Sequence, residues 1–97
     1  MNSKITIDQP PTFRRDLKRM VKKKNRSVQK VFDTVHALII QDKDLLRTKY
    51  RDHPLKGKYR DFRELHLESD WLLMCRFTNE HLQLVLVRTG THDELFN

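Results

Sequence analysis

Cysteine is nearly absent from this 97-residue chain: Cys75 stands alone, which excludes an intramolecular disulfide and any scaffold stapled by several. Its place inside the apolar run from Trp71 to Phe77 makes it a buried core thiol and fits a reducing compartment. Long apolar runs are missing as well. No stretch approaches the ~20 residues that a membrane-spanning helix needs, and Met1 to Asp8 lacks the apolar segment of a signal peptide, so cytoplasmic residence is expected. Without export, the sequon Asn25-Arg26-Ser27 carries no meaning. Glycine occurs only twice, and there is no repeat, low-complexity tract or linker. Residues 1–97 therefore read as one domain with a single modest core, too small for two lobes with a cleft between them. An active site here has to lie on a surface.

Positive charge is abundant and unevenly placed. The net charge is +7, yet residues 1–30 hold ten Lys or Arg against Asp8 and Asp16 alone, while residues 31–97 hold ten against eleven acids. A field of one sign steers association with a polyanion or an acidic protein and opposes compactness by self-repulsion. With 37% apolar and 34% charged residues the composition is globular, although polar, with a mean hydropathy of −0.76.

Periodicity predicts the elements. Lys4 to Asp8 alternates as a short strand and is ended by Pro10 and Pro11, which suit the first turn of a helix. Phe13, Leu17, Met20 and Val21 then recur at helical spacing, with Arg14, Arg15, Lys18, Arg19, Lys22 and Lys23 on the other faces. Ser27 is placed to cap a second helix whose apolar stripe is Val28, Val31, Phe32, Val35, Leu38 and Ile39, ending near Asp42, with His36 at its boundary. Residues 43–59 read as a loop with one helical turn or a short edge strand. Arg60 to Glu68 alternates, with Leu65 and Leu67 on one face and Phe62, Glu64 and His66 on the other. Trp71 to Phe77 is apolar on both faces, as in a central strand, and His81 to Val87 repeats the pattern before a C-terminal stub, Asp93 to Phe96. The predicted fold is α+β, in the order β-α-α-β-β-β, with two N-terminal helices packed on a mostly antiparallel twisted sheet.

Histidine crowds the second half, in the runs Asp52-His53-Pro54-Leu55-Lys56-Gly57, His66-Leu67-Glu68-Ser69-Asp70-Trp71 and Arg88-Thr89-Gly90-Thr91-His92. Imidazole is the side chain whose ordinary pKa, about 6.5, offers both proton donor and acceptor at neutral pH. Cleavage of RNA through its own 2'-hydroxyl needs a base for that proton, an acid for the leaving 5'-oxygen and positive charge for the crowded phosphorus. Histidines, a carboxylate and arginines supply those parts. His92 and Asp70 are the favoured pair for proton transfer, with His53 and His66 orienting the phosphate or sharing the base role. Lys56, Arg63 and Arg88 are candidate phosphate ligands. An enzyme acting on a single strand must also hold a base out of its stack. Trp71 and Phe96 are the candidates, although a lone tryptophan in such a run is more often core.

In order and spacing, DHPLKG, the strand with Arg63 leading into HLESDW, and RTGTHDELF resemble the RelE-like toxins of bacterial toxin–antitoxin pairs, the YafQ type most closely. The resemblance implies the small ribonuclease fold of that family and an endoribonuclease that cleaves messenger RNA in the ribosome's decoding site. It also implies an antitoxin partner encoded beside it, and functional positions at His53, His66, Asp70, Trp71, His92 and Phe96.

No cofactor is expected. A metal site built from His53, His66, His92 and Asp70 would suit zinc by ligand type, but no pair has the close His-x-His or His-x-x-x-His spacing that pre-forms one. The alternative to catalysis is a basic module that binds RNA or an acidic protein and whose histidines are ordinary surface residues.

Overall fold

The computed structural model describes residues 4–96. Residues 1–3 and 97 lie outside the described residues, and with them part of the leader expectation for Met1 to Asp8. Strand β1 (Thr6–Asp8) leads through Pro11 into α1 (Pro11–Lys18), which continues as a π-helical turn over Arg19–Lys23. Next come α2 (Gln29–Ile40), α3 (Lys43–Thr48), the two-residue strand β2 (His53–Pro54) and a 3-10 turn over Gly57–Tyr59. Strands β3 (Arg63–Glu68), β4 (Trp71–Thr78) and β5 (Gln83–Gly90) precede α4 (His92–Phe96). The sheet order is β1-β5-β4-β3-β2, antiparallel throughout except for the parallel pair β1 and β5. No helix among the described residues is long and apolar enough to cross a membrane.

Alternation along the central strands divides the sheet into two faces. Leu65 and Leu67 of β3, Trp71, Leu73 and Cys75 of β4, and Leu84 and Leu86 of β5 join Phe13, Met20, Val31, Val35 and Leu38 of the helices in one core. Glu64, His66, Leu72 and Met74 occupy the intervening positions, on the face away from the helices. That second face is also apolar, since Leu72, Met74 and the Leu95 of α4 are buried outside the main core. Cys75 is core as expected, and burial pushes its thiol up to about 12, which keeps it protonated and inert.

Several expectations are corrected. Ser27 does not cap α2; Val28 holds that position without a side-chain cap, and Ser27 serves only through its carbonyl, which accepts the Lys30 N–H at 3.2 Å. The buried stripe of α2 is Val31, Thr34, Val35, Ala37 and Leu38, while Val28 and Phe32 are exposed. Phe32 lies about 100° around the helix from Val31, and Thr34 is buried in its place because its hydroxyl donates to the Lys30 carbonyl at 2.7 Å. His36, next to Phe32 and Ile40 on the outer side, is exposed rather than at a boundary. The 43–59 segment, as expected, holds a short helix, α3, and an edge strand, β2, and the Asp42 carboxylate caps α3 by accepting from Leu45 N–H at 3.2 Å. The C-terminal stub is the helix α4.

Candidate active site

Chain geometry delivers His53 to the sheet edge. Beyond α3, Arg51 takes a left-handed conformation (φ 50°), and Asp52 is tied by its N–H to the Leu46 carbonyl at 2.9 Å and by its carboxylate to Arg63 Nε at 2.8 Å. The Arg51 carbonyl then accepts from His53 Nδ1–H at 2.7 Å. That bond assigns the proton to Nδ1 and turns Nε2 toward the sheet. In register, His53 opposes Glu64. The Glu64 carboxylate oxygen Oε1 stands 3.5 Å from Nε2 of His53 and 3.5 Å from Nε2 of His66, and the two imidazole rings are 6.3 Å apart. Glu64 is buried with its carboxylate between both rings, yet neither histidine is sealed off, with side chains 47% and 24% exposed. Glu64 carries no weight in the sequence reading. Its alternation with His66 on β3, facing away from Leu65, was the available signal.

His92 reaches the same face from the other side of the sheet. His66 pairs with Leu72, and Leu72 pairs with Gly90, two residues before His92. Two interstrand steps of about 4.8 Å separate those backbones, so His66 and the root of α4 lie roughly 10 Å apart. The Asp70 carboxylate, from the turn between β3 and β4, accepts the His92 backbone N–H at 3.2 Å. Asp70 therefore positions His92 in this arrangement. The His92 ring lies 5.1 Å from Phe96, and Phe96 meets Tyr59 edge-on at 5.6 Å. Tyr59 in turn neighbours Phe62, at 6.4 Å, and Arg76 lies over Phe62 at 5.7 Å. These partly exposed rings form a ledge beside the histidines. Tyr59 lies only two residues beyond DHPLKG, and that proximity is its one signal in the sequence.

Two candidates are placed elsewhere. Trp71 is fully buried, its indole N–H donating to the Thr89 hydroxyl at 2.8 Å, while that hydroxyl donates to the Leu72 carbonyl at 2.7 Å. Trp71 is a core residue and not a stacking platform, because it sits at a helix-facing position of the central strand. Arg88 directs its fork to Asp16, with Nε and Nη2 at 2.6 and 3.2 Å from the two carboxylate oxygens. That hydrogen bonding, more than any other influence, raises its pKa against the opposing effect of burial. Asp16, 2% exposed, also accepts the Thr89 N–H at 3.2 Å, so Arg88 compensates a buried charge and is not an open phosphate ligand. Arg63 is divided between Asp52 and solvent, with 39% of its side chain exposed, and Lys56 is fully available at the surface.

The model of the bacterial type II toxin–antitoxin toxin YafQ matches residues 5–97. The mRNA interferase toxin YafQ of Escherichia coli K12 is 32% identical over 90 residues, covering 93% of this chain and 94% of its own. The chain belongs to the YafQ family. Solved structures agree in fold. YafQ in the E. coli DinJ–YafQ complex superposes with a TM-score of 0.80 at 31% identity, covering 97% of this chain and all of that one. A metal-bound toxin from Helicobacter pylori reaches a TM-score of 0.83 at 40% identity over 95% of this chain and 99% of its own. Among the described residues of this YafQ-family chain, no three or more His, Cys, Asp or Glu side chains are grouped to hold a metal ion.

Proposed function

We propose that this chain is an mRNA interferase, an endoribonuclease that cuts messenger RNA in the decoding site of the ribosome and is restrained by an antitoxin encoded beside it. The observation that carries the reading is the His53–Glu64–His66 cluster, open to solvent on the sheet face from which α4 presents His92. The E. coli relative is named an mRNA interferase, and a YafQ chain is found in complex with DinJ, which supports the activity and the antitoxin partner.

The chemistry is metal-independent transesterification. One imidazole removes the 2'-hydroxyl proton, the 2'-oxygen attacks phosphorus, and a second imidazole protonates the departing 5'-oxygen, leaving a 2',3'-cyclic phosphate and a 5'-hydroxyl. His53 and His66 share the first task, oriented by Glu64, and His92 performs the second, held in place by Asp70. Lys56 and Arg63 bind phosphate, and Phe96 with Tyr59 supports an unstacked base at about 1 to 3 kcal/mol. The exposed cations Arg14, Arg15, Lys18, Lys22 and Lys23 run along the N-terminal helix and suit ribosomal RNA phosphates. Action in the cytoplasm follows from the ribosome as partner.

Controlled expression of the chain with and without the reading frame beside it, followed by mapping of messenger ends, tests this. Growth arrest with codon-phased cuts, relieved by the neighbour, is the expected result. Cleavage by purified toxin on programmed ribosomes is expected to persist after the toxin is stripped with a transition-metal chelator. Arrest without cuts, or cuts lost on stripping and restored by metal, contradicts the proposal.

A further inference from the structure

The π-helical turn over Arg19–Lys23 has a geometric consequence. Lys24 N–H bonds to the Arg19 carbonyl at 3.2 Å, and Arg26 N–H to the Met20 carbonyl at 3.0 Å. Residues five apart in an α-helix point about 140° away from each other, whereas the i→i+5 ring of a π turn brings them back over one another. Arg19 and Lys24 accordingly converge on one oxygen of α4: Glu94 Oε2 lies 2.9 Å from Arg19 Nε and 3.7 Å from Lys24 Nζ. Arg19 is itself steadied by Asp16, at 3.2 Å. The other Glu94 oxygen accepts the Thr91 N–H at 2.8 Å, while the Thr91 hydroxyl accepts the Glu94 N–H at 3.2 Å, a reciprocal capping box at the start of α4. Burial pushes the Glu94 carboxyl up, but the two Thr91 contacts, then Arg19 and Lys24, outweigh it and hold it below its ordinary value. Gly90 completes the arrangement, because a Cβ there would stand 3.0 Å from Glu94 Oε1 and 3.1 Å from Arg19 Nη2.

We propose that Glu94, gripped by Arg19 and Lys24 of the π turn, is a positioning residue that fixes the short helix carrying His92 and Phe96 over the sheet. The proposal rests on the nuclease reading above. A helix of five residues has too few internal hydrogen bonds to hold its own shape. Its attachments include the buried Leu95, the edge-on contact of Phe96 with Tyr59, the Asp70 contact to the His92 N–H and the clasp at Glu94. The clasp ties α4 to the helical layer, because Arg19 and Lys24 belong to the turn that extends α1. Remote changes that misplace a reacting group by about 1 Å cost roughly 100-fold in rate, so the alignment of His92 is sensitive to it.

The test compares Glu94→Ala, Glu94→Gln, Gly90→Ala and Arg19→Lys in the full chain. Cleavage is measured on saturating and subsaturating programmed ribosomes, alongside NMR ring signals of His53, His66, His92 and Phe96. Glu94→Ala is expected to lower the saturating rate about 10- to 100-fold with little change in half-saturating ribosome concentration. Its His92 and Phe96 signals shift or broaden while those of His53 and His66 stay. Glu94→Gln, which keeps the Thr91 contact but not the charge, falls between. Arg19→Lys retains most of the rate, and Gly90→Ala gives a smaller loss by displacing the pair a few tenths of an ångström. A wild-type saturating rate in Glu94→Ala overturns the proposal, as does a loss with equal disturbance at His53 and His66. If the wild-type chain does not cut, the nuclease reading fails, and unmoved His92 and Phe96 signals in Glu94→Ala then overturn the positioning role by themselves.

Discussion

Replacement of His92 by alanine is expected to lower ribosome-dependent mRNA cleavage by about 10² to 10⁴-fold, equivalent to roughly 3 to 5 kcal/mol of lost transition-state stabilisation. The fold tolerates the change, because the imidazole is exposed and the anchor of the residue is its backbone N–H on Asp70. Alanine keeps that bond and the start of α4. Ribosome association and capture by the antitoxin are therefore expected to remain, and quantitative cleavage beside two binding assays checks all three. Cleavage near the wild-type level removes His92 from the chemistry and favours the non-catalytic binding module. Asp70→Asn refines the result. An amide oxygen still accepts from the His92 N–H but cannot take a proton at neutral pH, so a mild loss identifies Asp70 as a positioning group and a loss as large as that of His92→Ala as a proton carrier.

The second large effect concerns Trp71. Truncation to alanine empties the space under the central strand and removes the donor to Thr89, at a cost of about 3 to 5 kcal/mol. For a domain of this size each kcal/mol lowers Tm by about 4 to 8 °C, so thermal unfolding followed by circular dichroism is expected to shift by well over 10 °C. Trp71→Phe keeps most of the volume and loses one buried hydrogen bond, at about 1 kcal/mol, with the folded protein cutting messenger RNA at its normal rate. If Trp71→Ala instead unfolds at the wild-type temperature and fails to cut, the tryptophan contacts RNA and its core role is wrong.

The strands that form the site were readable because their patterns are local. Trp71 to Phe77 is apolar on both faces, and the structure flanks it with β3 and β5 and buries Trp71 to Cys75 from both sides. The alternation of Leu65 and Leu67 against Glu64 and His66 likewise separates core from open face. The motif resemblance brought His53, His66 and His92 to attention before any geometry did. Glu64 escaped notice because a glutamate beside a histidine on a strand is unremarkable until β2 turns a second imidazole onto the same oxygen, and that depends on pairing between His53 and Glu64. The roles of Trp71, Arg88 and Asp16 were not fixed by the sequence for a related reason. Only tertiary packing shows that the indole faces the helices and that Asp16 needs Arg88 as its counter-charge. The two short helices carried a sharper signal than the one helical turn expected in 43–59 and the stub expected after Asp93. Asp42 before Leu45 is an N-cap for α3, and Thr91-His92-Asp93-Glu94 is a capping-box sequence for α4. In segments of five or six residues no apolar period develops, so the caps were the only evidence available.

The central claim is that imidazoles gathered on one sheet face move protons between ribonucleotide oxygens while the 2'-hydroxyl acts as nucleophile. The most direct measurement places a single 2'-deoxynucleotide immediately 5' of the scissile phosphate in a messenger programmed on ribosomes. No cut at that phosphate, with a 2',3'-cyclic end on the unmodified messenger, is the predicted result; cleavage of the deoxy-substituted link at the normal rate contradicts the account.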